Sequence, residues 1–358
     1  MKRFLTMSIL LLFSLIVFAA CGGNSAPTPP LASPESIEPE VMPQFVSVVD
    51  FDGNKVQVMQ NPTTVAIFDY GVLDMLYRVG WERTGIELVL IPTKENLPDE
   101  FAWFRNQPTS SVATGGTLFY INWDILDIAQ PELVILGARS FGMNAAGDRL
   151  NPEEREEFTQ STFNRYQNTT FLNLAHNAQV AHQIEDMTRN VTALGQIFSH
   201  LHDDLWAIFN DITTEVNEIY VYVTQHEIRA LFAITGTPTT MSVFLTNSRY
   251  SMIYDEFGFT PVIDDDFATW MDQHGFDTTA EFVLETNPEV IFLLDRSDVV
   301  GTGAGSTNFL NDSIIRLTDA YKAGHIYILN GGPWYTITTG FTGAQAMIYD
   351  INRFLNAR

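Results

Sequence analysis

The chain has 358 residues, of which 46% are hydrophobic and 17% charged, a composition typical of a globular protein rather than a disordered one. Its formal net charge is −24, and so acidic a surface repels nucleic acids and anionic lipid headgroups. We therefore expect no nucleic-acid partner. Against such a background, arginines gathered in one place would indicate a local anionic partner.

The first residues predict export. Lys2 and Arg3 precede the apolar residues 4–20, and Cys21, the only cysteine, follows them. A charged start, an apolar run and small residues at the cleavage point are typical of a secretory signal peptide. The segment resembles the lipobox of bacterial lipoproteins, with Phe18 where an aliphatic residue is usual, and implies a signal peptide over 1–20 and lipidation of Cys21. An ordinary signal peptide or membrane anchor with an incidental cysteine is the alternative.

Residues 21–44 have the composition of a tether. They contain six prolines among Ser, Ala and Glu, and few large apolar side chains. Such segments are flexible and partly extended. We expect this one to hold the folded part away from a membrane.

Strand and helix patterns follow the tether. Residues 45–49 and 55–58 have the pattern of two strands joined by the turn Asp52-Gly53-Asn54. Residues 64–68 then predict a short buried strand, and apolar residues at helical spacing continue to Gly80. A strand followed by a helix is the unit of an α/β lobe.

An internal repeat predicts two such lobes. Residues 122–139 align without a gap to residues 279–296. In both, a short amphipathic helix meets a Pro-Glu pair, and a strand continues from there to an arginine, Arg139 in the first copy and Arg296 in the second. Two similar halves indicate two similar lobes.

A long helix is predicted between the two halves. No proline or glycine occurs from Asn168 to Leu194, and apolar residues recur there at spacings of three and four up to Gly195. We therefore predict an N-terminal lobe over residues 45–173, a connecting helix over 174–200 and a C-terminal lobe over 201–358. One stiff connection permits a hinge or rocking motion rather than a free swing.

The combined pattern resembles a known family. The tether, the Val-Asp-Phe-Asp-Gly-Asn hairpin, residues 67–74, the Pro-Glu strand and the long helix together resemble the ferric siderophore binding proteins of bacterial ATP-driven importers. Three arginine contexts make the chain most similar to the petrobactin or catecholate binding lipoproteins. They are Leu-Gly-Ala-Arg139-Ser, Asn-Ser-Arg249-Tyr and Leu-Asp-Arg296-Ser.

The resemblance implies a fold and a function. It implies the α/β fold of periplasmic binding proteins of the siderophore and cobalamin type, in which two lobes with mainly parallel central sheets are joined by one long helix. The ligand, an anionic ferric siderophore, would lie in the cleft between them and pass to an ABC-type permease. We expect no catalysis, no cofactor, and a monomer exported and lipid-anchored on the outer face of the cytoplasmic membrane.

The same arginines point to a binding site from their own chemistry. Arg139 and Arg296 follow buried strands, and ligands of open α/β sheets lie at the carboxyl ends of strands. Arg249 is predicted to open a helix, where the helix dipole also favours an anion. A ferric tris-catecholate is a trianion whose oxygens suit the planar guanidinium fork. The alternative is that each arginine closes a structural salt bridge, as Arg296 could with Asp295.

Two aromatic residues are predicted to complete the site. Tyr70 follows the first parallel strand, and Trp334 follows a later strand through a Gly-Gly-Pro turn. Catechol rings can stack on such side chains. For Trp334, a core position under a loop is an equal alternative.

Contact with the permease is predicted at two carboxylates. Relatives use an acidic residue from each lobe, but this chain has Tyr120 where the family pattern places one of them. Asp124 and its repeat partner Glu281 are the candidate substitutes. A carboxylate near a helix N-terminus also has a purely structural explanation.

Other functions are weighed against this one. His200 and His202 suggest a bare-metal receptor, but residues two apart on a helix point to different sides, so a solvated helix face is expected. Cobalamin and haem stay open as ligands of the same fold. No nucleophile elbow or phosphate loop occurs, and residues 301–306 fail the dinucleotide fingerprint and are predicted to form a flexible loop. A non-transport surface lipoprotein, which would bind no small ligand, is the third class.

Overall fold

The structure, a computed structural model, describes most of the chain beyond the predicted tether. The described residues are 43–94, 97–144, 146–166, 169–174, 182–235, 241–246, 248–263, 275–296 and 305–358. The predicted signal peptide, Cys21, residues 21–42 of the tether, residues 175–181 of the predicted connecting helix and residues 301–304 of the predicted loop lie outside them.

The N-terminal lobe is built on a sheet whose five described strands all run parallel to their neighbours. Its strands are β3 (Thr64–Ile67), β4 (Leu88–Pro92), β5 (Val112–Gly116), β6 (Leu133–Leu136) and β7 (Thr170–Asn173). Their order is β5-β4-β3-β6-β7. Their residues are largely apolar because a parallel sheet is covered on both faces. The predicted hairpin is present as β1 (Phe45–Val49) and β2 (Lys55–Met59).

Helices connect these strands. The carboxylate of Asp69 accepts a hydrogen bond from the backbone N–H of Val72 at 3.0 Å and so caps the first helix. That helix ends just before Gly80, whose φ of 99° suits glycine, as the sequence predicted. The helices are α1 (Tyr70–Arg78), α2 (Ala102–Arg105), α3 (Trp123–Ala129) and α4 (Pro152–Arg165).

The C-terminal lobe has a mixed sheet. Its described strands are β8 (Arg229–Thr235), β9 (Met241–Phe244), β10 (Thr260–Pro261), β11 (Phe276–Thr278), β12 (Val290–Asp295) and β13 (Ile326–Leu329). β12 lies between β8 and β13 and is parallel to both, whereas β9 is antiparallel to β8 and β11. The predicted class, two α/β lobes with mainly parallel sheets, is confirmed, with the antiparallel pairs confined to one side of this sheet.

Helices also flank the second sheet. They are α7 (Met252–Asp255), α8 (Ala280–Thr286), α9 (Gly305–Asn311), α10 (Asp319–Ala323) and α11 (Phe341–Ala357). A π-helical turn, Gly332–Thr336, lies between β13 and α11. The repeat is visible here, because α3 leads into β6 as α8 leads into β12. Each of the two helices ends at a residue in the left-handed conformation, Gln130 at φ 46° and Asn287 at φ 41°.

The lobes are connected by α5 (Gln183–Ile197), a 3₁₀ turn (Ser199–Leu201) and α6 (His202–Gln225). A long helix between the lobes is thus confirmed, although the longer helix, α6, lies outside the predicted range 174–200. The break falls at Phe198, whose φ of −110° and ψ of 70° are not helical. Gly195 lies inside α5, two residues before its end, and a Cβ there would lie 2.8 Å from the Nδ1 atom of His202.

None of the helices in the described part of the chain has both the length and the apolarity needed to cross a bilayer.

The boundaries proposed for the lobes at residues 173 and 200 stay predictions.

Candidate ligand-binding site

Arg139 lies at the carboxyl edge of the N-terminal sheet. Gly137, just after β6, comes so close to the end of β3 that a Cβ there would lie 2.3 Å from the carbonyl oxygen of Phe68. The turn is closed by Ser140, whose hydroxyl accepts a hydrogen bond from the N–H of Gly137 at 2.8 Å. This local geometry holds Arg139 near Asp69, the residue that caps α1.

Arg249 lies in a turn of the C-terminal lobe. The buried hydroxyl of Ser248 donates a hydrogen bond to the carbonyl of Leu245 at 2.5 Å and fixes the start of this turn. The helix predicted to open at Arg249 begins three residues later, at Met252, and has only four residues. Because so short a helix has a small dipole, the guanidinium must supply nearly all of the positive potential here.

Tyr335 brings the two arginines together. The guanidinium carbon of Arg139 lies 5.1 Å from the centroid of the Tyr335 ring, and that of Arg249 lies 4.7 Å from the same centroid. Both distances are in the range of a cation–π interaction. Since Arg139 belongs to the N-terminal lobe and the other two residues to the C-terminal lobe, the cluster spans the two lobes.

The site is strongly electropositive. Burial raises the pKa of the Tyr335 phenol, but the charges of Arg249, Arg139 and Arg296, with a hydrogen bond from Arg249, outweigh burial and hold this pKa below its ordinary value. Burial, followed by the charge of Arg249, lowers the pKa of the Arg139 guanidinium. Burial also opposes the charge of Arg249, but the neighbouring phenols of Tyr250 and Tyr335 raise the pKa of its guanidinium above the ordinary value. Two guanidinium groups close together in a partly buried place are suited to hold an anion.

The structural alternative of salt bridges finds no support within the described residues. None of the three predicted arginines lies within salt-bridge distance of a carboxylate there. Asp295, next to Arg296, instead accepts a hydrogen bond from the N–H of Ser306 at 2.6 Å. Arg296 is exposed, and its charge acts on Tyr250 and Tyr335.

Tyr250 adds a buried hydroxyl to the cluster. Its ring is fully buried and stacks on Phe232 with centroids 4.2 Å apart, while the guanidinium carbon of Arg249 lies 5.1 Å from its centroid. The Tyr250 hydroxyl has no hydrogen-bond partner among the residues that the structure describes. Buried hydroxyls are normally paired, so an acceptor atom of a ligand would suit this place.

The two predicted aromatic residues are placed in the core. Tyr70 is 4% exposed, and its ring lies 5.5 Å from that of Phe101. Trp334 is fully buried, and its indole N–H donates a hydrogen bond to Asp350 at 2.9 Å. Ligand contact by either residue stays a prediction. The π-helical turn rotates the chain so that Tyr335, the neighbour of Trp334, contacts the arginines.

The histidine pair is placed on the surface, as the solvated-face interpretation predicts. His200 and His202 are both exposed, and the Nε2 atom of His200 lies 2.6 Å from the carbonyl oxygen of Arg83. The described residues contain no group of three histidine, cysteine or acidic side chains that could hold a metal ion.

A separate cavity of about 710 Å³ lies at the β5 edge of the N-terminal sheet. It contains Lys94, whose ammonium donates hydrogen bonds to backbone carbonyls, among them that of Gln107. It also contains Arg105, which is paired with Asp99 at 2.7 Å. Because these cations already have partners, the chemistry of this cavity is less suited to an anion than the arginine cluster.

The two predicted docking carboxylates lie at equivalent, exposed positions. Asp124 is in the first turn of α3 and Glu281 is in the first turn of α8. A hydrogen bond with the Thr279 side chain lowers the pKa of Glu281. Both carboxylates are therefore accessible to a partner protein.

Comparisons with known proteins agree with the resemblance stated from the sequence. No protein-family model matches the chain. Petrobactin-binding protein YclQ of Bacillus subtilis is 25% identical over 354 residues, which cover 98% of this chain and 98% of YclQ. Ferric-anguibactin-binding protein FatB of Vibrio anguillarum is 22% identical over 339 residues, which cover 94% of each protein.

A solved structure supports the same fold. The periplasmic catecholate-siderophore binding protein VctP of Vibrio cholerae matches with a TM-score of 0.70 and 22% identity, covering 87% of this chain and 100% of VctP. The predicted resemblance and the two-lobe fold are thereby confirmed. These relatives are named as binding proteins, which fits the prediction that the chain is not an enzyme.

Proposed function

We propose that the protein captures an anionic ferric siderophore between its lobes and delivers it to an ABC-type permease. One observation carries this proposal: Arg139 and Arg249 come from different lobes and face the same phenol ring, with no salt-bridged carboxylate among the described residues. Holding like charges together in a partly buried place is unfavourable until an anion offsets them. Arg296 would bring the cations to three, which balances a ferric tris-catecholate.

The ligand class follows from the chemistry of the cluster. Guanidinium groups donate charge-assisted hydrogen bonds to catecholate oxygens, while Tyr335 and Tyr250 offer ring surface and hydroxyl groups. The names of the relatives, which refer to petrobactin, ferric anguibactin and catecholate siderophores, support this class. No bond needs to be made or broken.

The alternatives on the same fold are cobalamin, haem and a bare divalent metal ion. Three arginines repel a bare cation, so this alternative fits the cluster least. Cobalamin and haem lack the high negative charge that would use all three arginines. A surface lipoprotein without a ligand would have no use for the cluster.

A titration tests the proposal. The mature protein is titrated with ferric petrobactin, ferric enterobactin and ferric citrate while tryptophan fluorescence is followed. The iron-free siderophores, cyanocobalamin, haemin and Zn²⁺ serve as comparisons. We expect saturable quenching with at least one ferric siderophore. Saturation by cobalamin, haem or Zn²⁺ alone would transfer the assignment to that ligand, and no saturable change with any of them would contradict a binding function.

We propose further that the protein is exported and held at the membrane by a lipid on Cys21. Within residues 1–20, charged residues are followed by an apolar run and then by small residues, and this order supports export. Mass spectrometry of the protein made in a bacterium should show a diacylglyceryl group on the N-terminal peptide, lost in Cys21→Ser. An unmodified Cys21 would contradict the anchor and leave the binding proposal intact.

A further inference from the structure

The N-terminus of α11 is capped from the other lobe. Its own N-cap residue is Gly340, which has no side chain to offer. Instead, the carboxylate of Asp74, on α1, accepts a hydrogen bond from the Thr342 N–H at 2.7 Å and another from the Thr342 hydroxyl at 2.6 Å. Accepting from the second N–H of a helix is the usual task of an N-cap side chain. Here that task joins α1 of the N-terminal lobe to α11 of the C-terminal lobe.

Two glycines permit this approach. A Cβ on Gly340 would lie 2.7 Å from a carboxylate oxygen of Asp74 and 2.7 Å from the side chain of Ile337. A Cβ on Gly71 of α1 would lie 2.2 Å from the Thr339 hydroxyl oxygen. Both segments therefore lack a side chain at their point of closest contact. This close packing leaves little room for another arrangement of the lobes.

A third contact comes from the connecting helices. The buried side-chain amide of Gln183, at the start of α5, donates a hydrogen bond to the carbonyl of Thr338. Residues 338–342 are thus held by α1 and α5. This segment begins three residues after Tyr335, and a Cβ on Gly343 would come within 2.0 Å of the Ile337 carbonyl, so little slack separates the π-helical turn from α11.

We propose that Asp74 is a positioning residue for the arginine cluster. By capping α11 across the lobes, Asp74 fixes the segment that carries Tyr335 and so holds the Tyr335 ring opposite Arg139. It acts through Tyr335 rather than on a ligand. The proposal deepens the proposed binding function and relies on that function only for the consequences for affinity.

The electrostatics of Asp74 agree with a positional role. Asp74 is 1% exposed, and burial raises the pKa of its carboxyl from 3.8 to about 6. The hydrogen bonds from Thr342 and the charge of Arg78 oppose this rise, and the nearby charge of Glu100 adds to it. Because the pKa is higher in the fold than in the unfolded chain, ionisation of Asp74 lowers the free energy of unfolding as the pH rises from about 4 through 6. A carboxylate that costs stability at neutral pH is more readily explained by the lobe arrangement that it specifies.

The test measures the titration of Tyr335. The absorbance of phenolate is followed against pH for each protein and for its Tyr335→Phe counterpart, and the difference reports the pKa of Tyr335. In Asp74→Ala we expect this pKa to rise towards the ordinary value of 10.0, because Arg139 no longer faces the ring. Thr342→Val should raise the pKa of Tyr335 less. Asp74→Asn keeps an acceptor for the Thr342 N–H, so the pKa of Tyr335 in this variant should be close to the wild-type value.

A matched control separates this role from the loss of any buried carboxylate. Asp186 is 4% exposed and burial also raises its pKa to about 6, but its side chain pairs with Arg189 on its own helix. Asp186→Asn should leave the Tyr335 titration unchanged. An unchanged titration in folded Asp74→Ala, or in Thr342→Val should the alanine variant not fold, would overturn the proposal.

The affinity of the same variants gives a second, separable result. If the wild-type protein binds a ferric siderophore, Asp74→Ala should bind it about tenfold more weakly, because Arg139 and Arg249 are no longer held together at the Tyr335 ring. Failure of the wild-type protein to bind any chelate would contradict the proposed function without affecting the Tyr335 titration. A normal affinity in Asp74→Ala would contradict the positioning role alone.

Discussion

The two lobes repeat one sequence pattern but present their arginines differently. Arg139 lies 5.1 Å from the centre of the Tyr335 ring, and burial lowers its pKa, whereas Arg296, at the matching position of the second repeat, is exposed. The first strand, β6, ends three residues before its arginine, which leaves room for the turn at Gly137; β12 continues to the residue before Arg296. The repeat determines which edge of the sheet carries an arginine, and the local strand length determines how deeply it is placed.

The largest effect is expected for the two partly buried arginines. Arg139→Ala, or Arg249→Ala, should weaken ferric siderophore binding by about 1.5 to 3 kcal/mol, which is roughly 10- to 150-fold, because each removes a partly buried charged donor. The titration described above measures it. Arg165→Ala is the control, since Arg165 also lies over a tyrosine ring, 5.3 Å from that of Tyr166, but is salt-bridged to Asp127. Unchanged affinity in both cluster variants would contradict the site.

A smaller effect is expected at the second repeat. The sequence alone predicts equal roles for Arg139 and Arg296, but an exposed charge is well screened and contributes little, about 1 kcal/mol or less. Arg296→Ala should therefore weaken binding by up to about fivefold, and more at low ionic strength than at high. A loss as large as that of Arg139→Ala would mean that Arg296 contacts the bound ligand directly.

The repeat and the hairpin were predictable because their signals are local. A Pro-Glu pair after an amphipathic helix, a turn at Gly53 and a helix ended by Gly80 each specify backbone geometry within a few residues. The arginine positions follow from them, because strand ends set the edge of the sheet. Most of the fold and the three arginines of the candidate site could therefore be predicted from the sequence.

The remaining features depend on distant partners. Whether Trp334 or Tyr335 contacts the arginines depends on the rotation of a π-helical turn, which no periodicity reveals. The cap of α11 joins Asp74 to Thr342, 268 residues apart, and the sequence around either residue contains no sign of the other. α5 and α6 also pack on each other across the break at Phe198, a residue that is neither proline nor glycine. Contacts between lobes were therefore the part that sequence reasoning missed.

The smallest expected effect tests whether the repeat also matters on the outer surface. Asp124 and Glu281 occupy the same first-turn position of α3 and α8, so a permease with one basic site for each lobe would meet both. Reversal of either to Lys should lower siderophore uptake about twofold, and reversal of both should lower it more, since charges at the rim of an interface act mainly on association. Ligand affinity in solution should not change, because neither side chain belongs to the arginine cluster. Glu285→Lys, which changes another exposed acidic residue of α8, is the control. If the double variant takes up as much siderophore as this control, Asp124 and Glu281 have no role in contact with the permease.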